Sequence, residues 1–587
     1  MKQNKLIFSM QTISILPAIF FLFIYAKENL FAHLTIIVLL IFFGINIYKY
    51  IKKLPLVHYP ILLILIGSFF LYAFYGLGNT KAPQSFERIK DNDSVMLFRF
   101  SKPENIDKIC YYVGVNKNVH FTLEYLTQKK WKKFYTYDES NFPYSFRWEC
   151  INKKITTKKI LLRVTKNEMM LNEVRFMHKN KSIYYKVNSR FLNDEPEPQI
   201  DKTYYSSMFF DEIYHGRTAY EILNGLDVYE NTHPYLGKLL LMPGIKIFGM
   251  TPFGWRVMNV LFAGLLIFMA YYFALALFKE HLFAFTSALL MTYSFMHLTQ
   301  SRLAHIDTFG VLFVYISYFY LYEFIKKQYL YLLIYSGVFF GLASSVKWSA
   351  VFAILGFILI AVYLLITKYP LKKRFSGYRL LLYGFLSYGL IAGIVYLLSF
   401  FDIYQRTGSL KSIIDYNINM YNYHSGIEAT HAYSSQWWSW MLDIKPMCYY
   451  REIKSGLFSS ITSFGNPAIF WTGFIATFYL LYVVIRKFSL EATFILSAFL
   501  GLYLPYIFVG RLMFIYHFYY ALPFMMLAIV YMLKDIHTHF SFYRKIYFAY
   551  PIIVTLLFLA FYPVLSGYNI DKAYVDTWLV WFNGWWL

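Results

Sequence analysis

Long apolar runs alternate with short polar segments over most of the chain. An α-helix needs about 20 apolar residues to cross the hydrocarbon core of a bilayer, and the runs that reach this length lie near residues 9–26, 30–48, 56–77, 253–278, 282–299, 305–325, 329–345, 348–367, 380–400, 467–485, 489–509, 512–533 and 546–566. We expect the first run to remain as an anchor, because another apolar run follows it at once. The pattern predicts a polytopic α-helical membrane protein with about thirteen transmembrane helices.

One long polar block interrupts the apolar runs. Short alternating segments in it, separated by turn residues, predict the strands of an antiparallel sandwich at residues 95–100, 109–115, 121–126, 132–137, 145–151, 159–165 and 171–177. The order of elements such as Phe146-Arg-Trp and Leu171-Asn-Glu-Val-Arg-Phe resembles a galactose-binding-like or discoidin-like jelly roll. This all-β insert is either a module that binds carbohydrate or acceptor, or a spacer that packs against the rest.

The hydrophobic pattern divides the chain into six segments. They are N-terminal transmembrane helices at 1–78, the β-sandwich at 79–205, an outer loop with candidate chemistry at 206–250, a transmembrane core at 251–400, a second outer loop at 401–463, and C-terminal transmembrane helices at 464–587.

Composition and charge agree with a membrane protein. The chain is 58% hydrophobic and 15% charged, with mean hydropathy +0.41, which excludes an ordinary soluble domain. The net charge of +23 comes largely from short Lys/Arg clusters on alternate sides of the apolar runs, so it follows the positive-inside rule and does not indicate nucleic-acid binding. This places the polar block and both loops outside, where Cys110 and Cys150 could pair.

Two segments just outside the third span carry candidate chemistry: Phe209-Phe-Asp-Glu-Ile-Tyr-His and Glu230-Asn-Thr-His-Pro-Tyr-Leu-Gly-Lys. They resemble the Asp-Glu and His-Pro-Pro-x-x-Lys elements in the first outer loop of protein O-mannosyltransferases, which are GT-C glycosyltransferases that use lipid-phosphate sugars. Further matches follow in the family's order, at Thr299-Gln-Ser-Arg-Leu-Ala-His-Ile-Asp, Gly341-Leu-Ala-Ser-Ser-Val-Lys-Trp, His431-Ala-Tyr-Ser-Ser-Gln-Trp-Trp, Gly465-Asn-Pro and Phe514-Ile-Tyr-His-Phe-Tyr-Tyr. Tyr235 in place of the second Pro, two extra N-terminal spans and the β-sandwich depart from the family pattern.

The resemblance implies a multi-pass plasma-membrane enzyme with its active site on the extracytoplasmic side. It would move a sugar, mannose in this family, from a polyprenyl-phosphate carrier to Ser or Thr hydroxyls of exported proteins, with inversion and without a cofactor. Two alternatives stay open: the same chemistry on a lipid or surface-polysaccharide acceptor, and a transporter or flippase. Membrane lipids are expected partners, and nucleic acid is not.

The reaction itself indicates which residue types to look for. A lipid-phosphate sugar already carries a leaving group, so transfer needs a base for the acceptor hydroxyl and cations for the departing phosphate. Asp211 is the predicted base. Glu212, also assigned to the catalytic pair, points about 100° away on a helix and is expected to orient a neighbouring Arg or the acceptor. The alternative for such a pair is a solvated or salt-bridged surface.

Cations and aromatic residues at the outer ends of spans complete the predicted site. The predicted phosphate-binding residues are Arg302, Lys347, His233, Lys238 and Arg511. The predicted sugar- and substrate-binding residues are His305, Asp307, His424, His431, Trp437 and Trp438. Lys238 can instead extend to lipid headgroups, His305 and Asp307 can form a packed polar cluster, and the tryptophans can belong to an interfacial aromatic belt.

Other ligand chemistry has weaker support in the sequence. Asp211, Glu212, His215 and His233 can be assembled into an oxygen and nitrogen metal site, but no tight ligand spacing is present, and the resembled family does not depend on a bound metal. We therefore expect no metal. P-loop, Rossmann and serine-nucleophile motifs are absent from the sequence, which disfavours nucleotide-sugar donors and ATP-driven transport.

Overall fold

The fold combines a helical membrane region with an inserted β domain. The computed structural model describes residues 58–90, 95–116, 118–138, 145–189, 192, 203–426, 428–539 and 544–587. Its α-helices are α1 His58–Phe74, α2 Glu212–Leu223, α3 Leu236–Phe248, α4 Pro252–Phe278, α5 His281–Thr292, α6 Phe295–Ser301, α7 Asp307–Lys327, α8 Leu330–Val346, α9 Ala353–Ile366, α10 Tyr378–Phe385, α11 Ala392–Leu398, α12 Phe401–Thr407, α13 Leu410–Ser425, α14 Pro467–Lys487, α15 Leu490–Tyr503, α16 Leu522–His539, α17 Arg544–Ser566 and α18 Lys572–Tyr574.

Short 3-10 and π segments extend or join several of these helices. The 3-10 segments are Trp348–Phe352, Lys373–Phe375, Trp437–Ser439, Leu504–Phe508 and Ile515–Tyr520, and the π segments are Leu386–Ile391 and Val575–Leu579. The segment before α9 lengthens it to Trp348–Ile366, and the π turn makes α10 and α11 one span, Tyr378–Leu398.

Seven helical spans in the described residues are long and apolar enough to cross a membrane, or eight if the bent pair α5–α6 counts as one. The shorter apolar helices α1 and α8 match two more predicted spans in position. The predicted spans at 9–26 and 30–48 lie outside the described residues, so the total of about thirteen stays a prediction. Helix α7 is the central element, because its whole apolar window is buried inside the protein.

Two predicted spans differ in shape from the sequence interpretation. The run at 282–299 is bent by 57° between α5 and α6, where Ser294 caps the second helix by accepting a hydrogen bond from the His297 amide. The predicted span at 512–533 was wrong at its N-terminal end. The chain is non-helical up to Phe514, forms the 3-10 segment Ile515–Tyr520, and becomes α-helical only at Leu522. Hydropathy could not detect this break because the non-helical residues are equally apolar.

The polar block folds as an antiparallel β domain. Its strands are β1 Glu87–Ile89, β2 Val95–Val113, β3 His120–Thr127, β4 Lys130–Asp138, β5 Arg147–Lys166, β6 Met169–His178 and β7 Lys181–Ile183. They form one hydrogen-bonded sheet in the order β1-β6-β2-β5-β3-β4, with β7 paired to β6. Phe98, Phe121 and Phe176 from three strands share one apolar core, so the sheet bends around that core.

The all-β prediction is confirmed and the predicted strand boundaries were wrong, while the resemblance to a jelly roll stays a prediction. Two pairs of predicted strands merge into the long strands β2 and β5, whose pairing shifts register at bulges between Arg99 and Glu104 and between Ile106 and Lys108. A bulge bends a strand without ending it, which the sequence pattern could not distinguish from a turn. In the described residues these strands form one continuous hydrogen-bonded sheet.

Cys110 and Cys150 face each other across β2 and β5 and form a disulfide. The pairing that the sequence left open is therefore present. A disulfide persists in oxidising surroundings, which agrees with an exported β domain. A second small sheet, in the order β10-β9-β8, is formed by β8 Met447–Lys454, β9 Leu457–Ser463 and β10 Ile570–Asp571.

A buried arginine of α2 ties the β domain to the adjacent loop. Arg217, 2% exposed, donates one hydrogen bond to the backbone carbonyl of Asn116, one to the Ser145 hydroxyl at 3.1 Å and one to Glu221 at 2.8 Å. Charge-assisted hydrogen bonds of this kind are the strong ones. The β domain is thus held against the helix that begins beside Asp211.

Candidate active site

A sharp turn places Asp211 at the start of α2. Phe210 has φ of 50°, a left-handed conformation that is costly for a bulky residue, on the order of 1–3 kcal/mol. Its ring packs against Tyr449 with centroids 4.4 Å apart, which holds the turn in place. Asp211 occupies the N-cap position, yet its carboxylate makes no capping hydrogen bond, so it remains available to contact other groups.

Asp211 stands at the open end of a chain of four charged or polar side chains. Its Oδ2 lies 3.3 Å from Nε2 of His305. The other nitrogen of that ring, Nδ1, lies 2.9 Å from Oδ2 of Asp307, and Oδ1 of Asp307 lies 2.9 Å from Nζ of Lys347. The Asp211 side chain is 25% exposed, whereas the other three are nearly buried. The buried side chains therefore hold the Asp211 carboxylate on one side, and its other side is accessible to solvent.

The Glu212 side chain points away from Asp211 and forms a buried ion pair with Arg256. Its carboxylate pairs with Arg256 through two hydrogen bonds of 2.6 and 2.7 Å and also accepts from the Ala304 amide at 3.0 Å. Both side chains of the pair are 0% exposed. The expectation that Glu212 orients an arginine agrees with this geometry. Its assignment to the catalytic pair stays a prediction, and its buried carboxylate indicates that any such role acts through neighbouring residues.

A second charged cluster holds the loop that follows α2. Glu230 Oε1 lies 3.0 Å from His233 Nδ1, and Glu230 also pairs with Lys238. Lys238 donates further hydrogen bonds to the carbonyl of His233 at 2.9 Å and to the hydroxyl of Tyr416 at 3.0 Å. The ammonium group is 0% exposed. Lys238 therefore stabilises this loop and does not extend to lipid headgroups. Its role in phosphate binding stays a prediction.

Four histidine rings form a continuous string through the site. Ring centroids are 5.5 Å apart between His305 and His215, 5.2 Å between His215 and His233, and 5.4 Å between His233 and His424. Burial lowers the pKa of His215 and of His233, and lowers the pKa of His424 to about 4. Burial also opposes protonation of His305, but Asp307 and Asp211 overcome this and raise its pKa. Three of the four imidazoles are therefore neutral near pH 7.

A polar cavity of about 600 Å³ contains Arg511. It is lined by residues 429–432, 434–436 and 510–513, including His431. Across the part of the chain that the structure describes, no carboxylate lies within ion-pair distance of Arg511. The phenol of Tyr516 lies within electrostatic reach of both Asp211 and Arg511, and Lys347 Nζ is 5.5 Å from its ring centroid. Tyr516 therefore links the acidic cluster to the cationic cavity.

Arg302, one of the predicted phosphate-binding residues, is buried among backbone carbonyls in this structure. It is 1% exposed and donates hydrogen bonds to the backbone carbonyls of Tyr72, Ala73, Tyr75, Gly76 and Ser566, at 2.6 to 3.1 Å. Four of these carbonyls belong to the C-terminal end of α1, whose last carbonyls lack helical partners. Arg302 therefore caps that helix.

The remaining predicted residues divide between the cluster and the surface. His424 belongs to the cluster, where its Nε2 lies 2.7 Å from the carbonyl of Thr232. Trp437 packs against Tyr503 with ring centroids 5.5 Å apart, and Trp438 is 56% exposed. Their geometry agrees better with packing and with an interfacial aromatic belt than with sugar binding. His431 is exposed at the cavity mouth.

Sequence reasoning missed several residues that shape the site. They are Glu230, Arg256, Tyr416, Tyr449 and Tyr516. Glu230 stands three residues before His233, a spacing that could have suggested the pair. The others come from distant segments. Tyr235, which departs from the family motif, donates a 2.6 Å hydrogen bond to Asp402 of α12, so this substitution anchors the first outer loop to the second.

Comparison with known families and structures agrees with this architecture. A family model described as dolichyl-phosphate-mannose-protein mannosyltransferase matches residues 232–398, and one described as the C-terminal four-transmembrane region of protein O-mannosyltransferase matches residues 409–585. Together they span more than half of the chain, although Asp211 and the β domain precede both matches.

Curated relatives and a solved structure are also similar to this chain. A polyprenol-phosphate-mannose–protein mannosyltransferase of Corynebacterium glutamicum is 25% identical, over 60% of this chain and 81% of the relative. One of Mycobacterium tuberculosis is 22% identical, over 64% and 86%. The structure of the Saccharomyces cerevisiae Pmt1–Pmt2 complex bound to the sugar donor matches with a TM-score of 0.57 and 13% identity, over 64% of this chain and 89% of that chain.

The fold and these matches define a multi-pass membrane glycosyltransferase with the GT-C architecture. The chain belongs to the protein O-mannosyltransferase family. The family and fold class predicted from the sequence are thereby confirmed.

Proposed function

We propose that this enzyme transfers mannose from a polyprenyl-phosphate carrier to Ser or Thr hydroxyls of exported proteins. The observation that carries the proposal is Asp211, a partly exposed carboxylate held by a buried His305–Asp307–Lys347 chain. A polar cavity contains Arg511, which has no carboxylate within ion-pair distance in the described residues. Transfer from a lipid-phosphate sugar requires a base for the acceptor hydroxyl and a cation for the departing phosphate. The named activities of the curated relatives supply the sugar and acceptor classes.

The reaction is a single displacement at the anomeric carbon. Asp211 accepts the proton of the acceptor hydroxyl while its oxygen bonds to the anomeric carbon. The bond from that carbon to the phosphate oxygen breaks, and Arg511 stabilises the charge that develops on the departing carrier phosphate. Lys347, whose ammonium is already shared with Asp307, positions the His305–Asp307 pair that fixes Asp211. Attack opposite the leaving group inverts the anomeric configuration.

Charge distribution and the disulfide support an extracytoplasmic site. Helix α7 begins at Asp307, in the site, and ends at Lys326 and Lys327. At 1.5 Å per residue a helix of this length spans about 30 Å, so these lysines lie at the far membrane face. Helix α14 likewise has Arg486 and Lys487 in its last turn. The positive-inside rule favours the cytoplasm for that face, and the Cys110–Cys150 disulfide supports an extracytoplasmic β domain.

Two alternatives are tested together with the main proposal. A lipid or surface-polysaccharide acceptor would use the same base and phosphate cation, so the site geometry does not separate it from a protein acceptor. A transporter would require ionisable groups near the middle of the membrane in both halves of the chain. The cluster described above instead gathers at the ends of helices, which favours an enzyme.

The decisive experiment replaces the base and keeps its shape. Membranes containing Asp211→Asn are supplied with radiolabelled polyprenyl-phosphate mannose and a Ser/Thr-rich peptide, and we expect transfer to fall by at least about 100-fold. Asp227→Asn, an exposed acid on the same loop, is the matched control and should transfer normally. A wild-type rate in Asp211→Asn at normal expression would remove Asp211 from the mechanism. Transfer from a soluble sugar nucleotide without lipid carrier would contradict the donor assignment.

Acceptor class and sidedness need separate measurements. Mass spectrometry of exported proteins from cells with and without the gene should show hexose on Ser or Thr only when the gene is present. Hexose on lipid or polysaccharide alone would favour the alternative acceptor. In intact cells, Asp227→Cys should react with a membrane-impermeant maleimide. Labelling only after cell lysis would place the site in the cytoplasm.

A further inference from the structure

Two side chains form the accessible surface at the start of α2. From Asp211 to Ala219, every residue except Asp211 and Tyr214 is buried. The Tyr214 amide donates a hydrogen bond of 3.0 Å to the Asp211 carbonyl, and side chains three residues apart on a helix lie on the same face. The Tyr214 side chain is 38% exposed. An aromatic ring is therefore open to solvent beside the proposed base.

A second tyrosine and a buried arginine hold the Tyr214 ring in one orientation. The ring lies parallel to that of Tyr229, with centroids 6.2 Å apart and an angle of 3° between the planes. The guanidinium carbon of Arg217 lies 4.0 Å from the Tyr229 centroid, within the range of a cation–π contact. Arg217 in turn donates hydrogen bonds to Asn116 and Ser145 of the β domain. The β domain thus supports the tyrosine pair through Arg217.

The Tyr214 side chain offers both an apolar ring and a hydrogen-bond donor. Burial, and then the negative charge of Asp211, raise the pKa of Tyr214 to about 12, so its hydroxyl is protonated near pH 7 and can donate. Tyr423 of α13, 52% exposed, lies within electrostatic reach of this hydroxyl and adds a third ring. An extended polypeptide presents the matching groups, which are apolar side chains for the rings and backbone carbonyls for the hydroxyls.

We propose that Tyr214, supported by Tyr229, binds the acceptor polypeptide beside its Ser or Thr and selects an apolar residue next to that hydroxyl. This inference rests on the proposed function, since the acceptor hydroxyl must face Asp211. Tyr214 lies about 4.5 Å from Asp211 along the helix axis. An extended chain advances about 3.3 Å per residue, so a neighbour one or two positions from the acceptor residue reaches the Tyr214 ring. The β domain then contributes to acceptor binding through Arg217.

The first test measures peptide binding without chemistry. The full chain in nanodiscs is titrated into a fluorescent peptide that carries one Ser between two leucines, and fluorescence anisotropy gives the Kd. We expect Tyr214→Ala to raise the Kd by about 10-fold, because an apolar contact is lost. Tyr214→Phe keeps the ring and should stay within about threefold of the wild type. Tyr184→Ala, at a tyrosine of the β domain that is 74% exposed, is the control and should bind as the wild type does.

The second test separates acceptor binding from chemistry and from donor use. In the transfer assay, Tyr214→Ala should raise the KM for the leucine-flanked peptide by about 10-fold. The kcat and the KM for polyprenyl-phosphate mannose should stay near the wild-type values. A peptide with glycines in place of the leucines should bind the wild type about 10-fold more weakly and should not distinguish the wild type from Tyr214→Ala. A lower kcat at an unchanged peptide KM would contradict a binding role for Tyr214.

The outcomes separate this inference from the proposed function. Equal peptide Kd and KM for the wild type and Tyr214→Ala would overturn the inference, and with Asp211→Asn inactive they would leave the sugar-transfer proposal standing. Peptide binding that depends on Tyr214, in an enzyme that transfers no mannose, would support the inference and contradict the proposed function. Binding of a mannose oligosaccharide but not of the peptide would overturn the assignment to a polypeptide. If thermal unfolding shows that Tyr214→Ala is not folded, the two peptides carry the test, and equal wild-type affinity for both would overturn it.

Discussion

Asp211 and Glu212 are adjacent in the chain, yet the first is partly exposed beside His305 and the second is fully buried against Arg256. The two carboxylates point in different directions because a helix begins between them, and successive side chains on a helix are rotated by about 100°. The start of α2 therefore gives two adjacent acidic residues different surroundings: Asp211 is open to solvent, whereas Glu212 is buried in a structural ion pair.

Replacement of Glu212 should reduce stability more than it changes the chemistry of the folded fraction. Glu212→Ala leaves the buried guanidinium of Arg256 without its partner, and we expect the free energy of unfolding to fall by about 3–5 kcal/mol. Thermal unfolding in detergent measures this. Asp211→Asn is the matched comparison and should unfold near the wild-type temperature. Equal unfolding temperatures for the wild type and Glu212→Ala would contradict the structural role.

Replacement of Arg511 should weaken donor use without loss of stability. We expect Arg511→Ala to raise the KM for polyprenyl-phosphate mannose by about 10- to 100-fold, because a charge-assisted hydrogen bond to phosphate contributes about 1.5–3 kcal/mol. Arg511→Lys should recover part of the loss, since it keeps the charge but not the bidentate geometry. Lys411→Ala, at an exposed cation of α13, is the control. An unchanged KM in Arg511→Ala would move the phosphate site elsewhere.

Arg302 should behave in the opposite way to Arg511. Arg302→Ala removes the hydrogen bonds that cap α1, and we expect it to lower the free energy of unfolding by about 3 kcal/mol or more. Arg302→Lys should rescue little, because one ammonium cannot reach all five carbonyls. The enzyme that remains folded should keep its donor KM. A raised KM at wild-type stability would restore Arg302 as a phosphate-binding residue.

The disulfide predicts a redox-dependent stability of the β domain. The bond joins residues separated by 40 positions, and its removal in Cys110→Ser should lower stability by about 2–4 kcal/mol. Limited proteolysis before and after reduction should show cleavage within residues 95–189 only in the reduced protein or the variant. Cys448→Ser, which removes the free cysteine, should match the wild type. Equal protease resistance in both redox states would show that the bond contributes little.

Close packing between α9 and α15 depends on two glycines. A Cβ on Gly501 would collide with the backbone of Gly356, and small residues are what allow membrane helices to approach this closely. We expect Gly501→Ala to lower the free energy of unfolding by about 1–3 kcal/mol. Gly384→Ala in α10 is the control, because no atom lies within 4 Å of its added methyl group. Similar unfolding temperatures for both variants would refute this helix contact.

The sequence predicted the classes of structure well where a local pattern carries them. Apolar runs predicted the ends of most spans to within a few residues of the observed helices. The run at 253–278 corresponds to α4, for example. Bilayer thickness fixes the length of an apolar helix that crosses it. Period-two alternation gave the strands of the β domain. The alternation did not predict that β2 and β5 continue through bulges, since a bulge and a turn use similar residues.

By itself the sequence determined a multi-pass enzyme of the protein O-mannosyltransferase family, and it named Asp211, His233, His305, Asp307 and Lys347 among the candidate site residues. Tertiary structure alone decided what each cation does. Arg302 and Lys238 are buried against backbone carbonyls, whereas Arg511 lines an open cavity. Distant segments supply these partners, α1 for Arg302 and α13 for Lys238. Whether a charged side chain stabilises the fold or meets a substrate depends on such contacts, which no local pattern encodes.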